Sequence, residues 1–217
     1  TWTDDDNFCP GNTAYLLSNG DLIRGKRDEN IFDDSISGAG SGEIVERLSW
    51  NNELIWSFSL NNEDLRLHHD IEPMPNGNIL MIAWQSWTED EAIANGRDST
   101  KIRFGNIWGD KIIEYDPLLD SIVWEWSVFD NLIQDYDPSA QNFGIVSDHP
   151  ELIDFNVDNV NGRQDWLHSN SVDYNPTRDE ILLCVPFLNE FWIVDHSTQN
   201  QGIKYRWGNS ENYTRNE

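Results

Sequence analysis

Large apolar and polar residues alternate along this chain in short bursts, two positions apart rather than three or four. Period two is the mark of a strand with one face buried, so every strong segment predicts β-structure, with almost no long helix. The clearest bursts are residues 53–59 (ELIWSFS), 121–127 (SIVWEWS) and 202–208 (GIKYRWG), which match one another position by position. Upstream of the first two lies a second shared pattern, with Asn19-Gly20 and Asn76-Gly77 at the same place between two strand-like runs; residues 171–182 form its third copy. Asn-Gly in that setting is a hairpin signal, because both residues tolerate the positive φ of a type I′ turn. A further strand falls between the two patterns at residues 43–48, 111–116 and 190–195.

The repeated unit is therefore a four-stranded antiparallel meander, near residues 11–60, 68–129 and 168–209, which is the form of a propeller blade. A β-sandwich would explain the strands but not the matched turns and tryptophans. The expected fold is all-β, a partial β-propeller over residues 1–217, with long insertions near 85–108 and 130–165 that read as lids or packed surface segments. Three blades do not close a ring, because two blade faces stay open. Further propeller blades, from the same or another chain, are the expected partners.

Composition narrows the function. Hydrophobic residues make up 38% of the 217 positions and aromatics 12%, enough for a packed core. Against 39 acidic residues stand only 14 basic ones, a formal charge of -25, so a polyanion is repelled and nucleic acid is not an expected partner. The run Asp4-Asp5-Asp6 belongs to a solvated acidic surface, since it lacks the spacing of a calcium loop. No apolar run approaches the roughly 18 residues of a membrane span, and the chain opens on Thr1-Trp2-Thr3 without a basic-then-apolar leader. Cys9 and Cys184 lie far apart in sequence, and neither belongs to a CxxC pair. No metal ligation and no cofactor are expected.

The candidate chemistry rests on histidines. His68 and His69 open the second blade, His168 opens the third, and Asn12 stands where His69 does when counted back from the Asn-Gly turn. The first strand of each blade lines the central channel of a propeller, so these residues should converge on one site. Asp70 and Asp165 stand near them in sequence, and a carboxylate beside an imidazole fixes its tautomer and raises its basicity. His149 and His196 lie in loop-like stretches and read as structural.

Four ordered blocks carry a resemblance: residues 68–80 (HHDIEPMPNGNIL), 165–172 (DWLHSNSV), 189–198 (NEFWIVDHST) and 205–209 (YRWGN). Together they resemble the arylsulfotransferase family. The resemblance implies a six-bladed propeller, a secreted or periplasmic location, and transfer of a sulfuryl group from an aryl sulfate ester to a phenol through a sulfurylated histidine, with no nucleotide donor. It assigns catalytic roles to His168 and to His68 and His69, and substrate binding to Asn170, with Asn12 as the first-blade counterpart. Two features depart from the family pattern: Pro186 stands where an arginine is expected, and the nucleophilic histidine would fall beyond Glu217. On that count the chain alone supplies only part of a site, and the competing expectation is a noncatalytic ligand-binding or structural propeller subunit.

Overall fold

A computed structural model of the chain describes residues 8–28, 36–157, 163–197 and 202–214. Strands β1 (Phe8–Leu16), β2 (Leu22–Asp28), β3 (Ile44–Leu48) and β4 (Leu54–Ser59) form the first blade, paired in sequence order. The second is β5 (Leu65–Pro73), β6 (Ile79–Thr88), β7 (Asn106–Asp116) and β8 (Ser121–Ser127). Strands β9 (Leu132–Ile133) and β10 (Ile153–Asp154) pair in parallel within the second insertion. The third blade is β11 (Ser171–Asn175), β12 (Glu180–Val185), β13 (Glu190–Asp195) and β14 (Ile203–Gly208). All three four-stranded sheets are antiparallel meanders, so the fold is a run of three propeller blades. The helices α1 (Glu89–Ala94) and α2 (Glu211–Thr214) are short, and no helix among the described residues is long and apolar enough to cross a membrane.

The hairpin turns differ from the expected type. Only the glycines take positive φ, +91° at Gly20 and +93° at Gly77, while Asn19 and Asn76 do not. The Leu17 and Met74 amides donate to Asp21 O and Asn78 O, closing three-residue loops with a left-handed glycine in last place. The asparagines act through their side chains instead: Asn19 Oδ1 accepts from Asp21 N and Asn76 Oδ1 from Asn78 N, each at 3.0 Å.

Packing explains which strands alternate. Ile79, Met81 and Ala83 of β6 face the first blade, against Ile23, Val45, Trp56 and Phe58, while Leu80 and Ile82 face the third, against Val172, Leu183, Trp192 and Val194. The central blade is covered on both sides, so β6 reads as one apolar run rather than an alternation. Polar contacts also join the blades: Arg66 meets Glu43 at 3.1 Å, and His196 Nε2 meets Glu114 Oε2 at 2.8 Å.

The first insertion is shorter than the expected 85–108, because β6 and β7 continue their ladder to Thr88↔Asn106 and only residues 89–105 leave the sheet. Thr88 caps α1 reciprocally with Glu91. The two insertions pack on each other through Asn156, which donates to Gly96 O at 2.8 Å, and through Arg97, which donates to Phe155 O. The second insertion ends by running beside β7, where the Trp108 amide donates to Gln164 O at 2.7 Å. That contact sets the segment 163–170 against the second blade.

Candidate active site

Two backbone irregularities build the site. Strand β5 breaks its register between His68 and Ile71, and β1 does so between Pro10 and Ala14, the region of Asn12. A bulge re-aims side chains that would otherwise alternate across the sheet. At the β5 bulge His69 adopts φ +52°, and just ahead of β11 His168 adopts φ +57°. Left-handed backbone is uncommon for residues other than glycine, and its persistence marks places held by their surroundings. At His69 the hold is a 2.6 Å hydrogen bond from its amide to Gly40 O, with the glycine itself at φ +99° and its Cα against the imidazole ring.

The three histidines predicted to converge do meet. His68 Nδ1 lies 2.9 Å from His69 Nδ1, and the His69 and His168 rings cross edge to face with centroids 4.6 Å apart. Each outer imidazole has a carboxylate. His168 Nδ1 bonds Asp165 Oδ2, and His68 Nε2 lies 3.2 Å from Asp110 Oδ1. The second approach is off-line for a hydrogen bond, and neither atom has another hydrogen-bond partner. Asp110 Oδ2 also accepts from the Ser169 amide at 2.9 Å, so one carboxylate ties β7 to the His168 segment. Aromatic rings close the flanks: Trp84 stacks on His68 at 4.2 Å, and Phe187 on His168 at 4.7 Å.

Electrostatics distinguishes the rings. His69 is pushed down to about 4 by burial first and then by the charges of His68 and His168. His168 is held above the ordinary imidazole value, chiefly by its hydrogen bond to Asp165. Asp110 is fully buried, which raises a carboxyl, yet it is held below the usual range by His68 and by the Ser169 amide. The arrangement presents a neutral imidazole beside a readily charged one, suited to gripping an anion and moving a proton near it.

Asn12 lines a small cleft with Thr13, His68, His69 and Asp70. Asn170 is exposed, its amide donating to Cys184 O. Asp70 bonds the Ile71 and Val172 amides and no imidazole, so it serves blade packing. His149 pairs with Glu151 on the surface, and His196 bridges Glu114 and Asp179 between blades. Cys9 and Cys184 are not joined by a disulfide.

Three site residues had no sequence motif. Asp110 carried a trace, a charge inside the strand Asn106–Asp116 whose neighbours are apolar. Phe187 follows Pro186, which opens a 3-10 turn over Pro186–Leu188 where the family pattern expects arginine. Arg163 lies over the Phe187 ring at 4.8 Å and acts electrostatically on His168, so a guanidinium reaches this corner from another segment.

Four-stranded antiparallel blades in succession, with a histidine cluster between the second and third, define a β-propeller. More particularly, residues 30–216 match the family described as Arylsulfotransferase (ASST), and the chain belongs to that family. No curated protein matches the chain. Among solved structures it is similar to the Dos1 propeller, at 7% identity and TM-score 0.42 over 93% of this chain and 34% of that one. It is also similar to MPT-4, a mannose phosphorylase from Leishmania mexicana, at 9% identity and TM-score 0.36 over 90% of this chain and 50% of that one. The chain thus spans between a third and a half of the length of these structures.

Proposed function

We propose that this chain forms part of an arylsulfotransferase-like propeller, in which His168 and His69, with His68 buried behind His69, hold the sulfuryl group of an aryl sulfate ester as it moves to a phenol. The observation that supports the reading is the convergence of the three imidazoles, each outer one set against its own carboxylate. In the proposed transfer the ester S–O bond breaks with its electron pair on the aryl oxygen while sulfur bonds an imidazole; a phenol oxygen then displaces that imidazole. Negative charge spreads over the remaining sulfuryl oxygens, where a protonated His168 and neutral N–H donors stabilise it, as such groups do in phosphoryl transfer. The imidazole that carries the sulfuryl group would come from further blades, of the same or another chain, packed on the open faces. A secreted or periplasmic location belongs to the same proposal.

Incubation with an aryl sulfate ester and a phenol, without nucleotide, should release free phenol. His168→Gln should lower that release by about 100-fold or more. No release from the complete propeller would overturn the reading. A noncatalytic binding propeller is the second reading, and one observation favours it: Pro186 and Phe187 occupy the stretch where the arginine is expected. It predicts saturable binding of the aryl sulfate with no phenol released.

A further inference from the structure

The contacts of the paired imidazoles restrict where their protons reside. His68 Nε2 and Asp110 Oδ1 are both buried, 3.2 Å apart, and have no other partner. A bare nitrogen beside a carboxylate oxygen at that distance in a dry interior would be repelled, so Nε2 carries a proton on the carboxylate's side, though off the line of a hydrogen bond. On the other side of the ring, 2.9 Å between His68 Nδ1 and His69 Nδ1 requires one proton shared between two nitrogens. His69 Nε2 is then the one ring nitrogen of the pair whose protonation these contacts leave open.

We propose that Asp110, His68 and His69 form a proton relay in which a proton accepted at His69 Nε2 drives the shared proton onto His68 Nδ1, so that the positive charge settles against Asp110. Asp110 is a positioning residue here, acting on His69 through His68. With the pair neutral, the shared proton sits on His69 Nδ1 and Nε2 is a bare acceptor. When Nε2 takes a proton, the Nδ1 proton crosses to His68, which becomes the imidazolium; His69 stays neutral and turns from acceptor to donor. One proton enters, one shifts, and no net charge rests on His69. In the opposite direction the relay releases a proton from Nε2.

Each group facing His69 is accommodated. Burial first, and then His68 and His168, oppose a cation on His69, and they push it down to about 4. Asp110 is the charge that favours protonation, and it touches His68 rather than His69. Asp165 is committed to His168, and Arg163 lies beyond Phe187. The relay places the cation at the end of the chain where its counter-charge is. Resting on the proposed sulfuryl transfer, it gives that site a group that accepts the proton of a phenol hydroxyl, leaving the electron pair on the phenol oxygen, and returns a proton to a departing phenolate.

The test is the ring-nitrogen NMR spectrum of the full chain with 15N-labelled histidine, recorded across pH. The expected result is that His68 Nε2 stays protonated throughout and that a single uptake moves the His69 Nε2 and His68 Nδ1 signals together. Asp110→Asn should abolish the coupling, because its carbonyl keeps the Ser169 amide and its NH2 then faces His68 Nε2, stripping that nitrogen of its proton. A bare His68 Nε2 in the unsubstituted chain, or a His69 titration to which His68 does not respond, would overturn the relay. The wild-type spectrum decides this without any variant having to fold. Because it reads protons rather than turnover, it stands or falls separately from the phenol-release assay.

Discussion

Gly40 and His69 share one tight contact, in which the glycine's φ of +99° and the imidazole against its Cα leave no room for a side chain. Gly40→Ala should cost about 1–3 kcal/mol of stability, read by urea denaturation, and should shift the His69 ring signals. Charge at His168 gives a second residue-scale expectation. Its folded pKa is raised, so its contribution to stability is fully present below the unfolded value of 6.5 and is lost as pH rises through the folded value. Asp165→Asn should therefore destabilise the chain more at mildly acidic than at alkaline pH, in denaturation measured at both. His69 acts oppositely: its folded pKa of about 4 lies below 6.5, so stability is lost as pH falls between those values. The histidines and Asp165 were legible from the sequence because they sit at repeat-matched or adjacent positions. Arg163 and Phe187 were not, since they reach the site through a turn and an insertion that carry no period.

At the scale of elements, the blades are joined by apolar faces with a few polar clasps. His196 Nδ1 bonds Asp179 Oδ1 at 2.6 Å within the third blade, while Nε2 reaches Glu114 of the second, where Asn78 also donates to Glu114 at 2.5 Å. Since Glu114 keeps its asparagine donors, His196→Ala should cost about 1–2 kcal/mol rather than the larger penalty of an orphaned buried charge. Leu183, fully buried between blades two and three, should cost about 2–5 kcal/mol as Leu183→Ala, measured by urea denaturation. The strand pattern of the outer blades could be read because half their residues meet solvent. In β6 it faded, since neighbours on both sides bury Ile79 through Trp84. The turn type escaped for a different reason: Asn-Gly announces a hairpin, but whether asparagine uses its φ or its side chain depends on the loop length set by the strand register.

Across the whole molecule, the described residues leave one face of the third blade uncovered. Leu182, Phe191, Tyr205 and Trp207 are exposed there, with Phe191 and Trp207 paired across β13 and β14. Apolar patches of several hundred Å² rarely stay wet, so the isolated chain should associate in sedimentation experiments, and a stable monomer would argue against further blades packing there. In the proposed function His69 and His168 form one anion-binding site between blades two and three. Its most direct test is to titrate an aryl sulfate ester into the 15N-histidine-labelled chain at pH 6. The His69 and His168 ring signals should shift together and saturate, and His168→Gln should abolish the response at His69. Shifts confined to the exposed His149, or none at all, would contradict it.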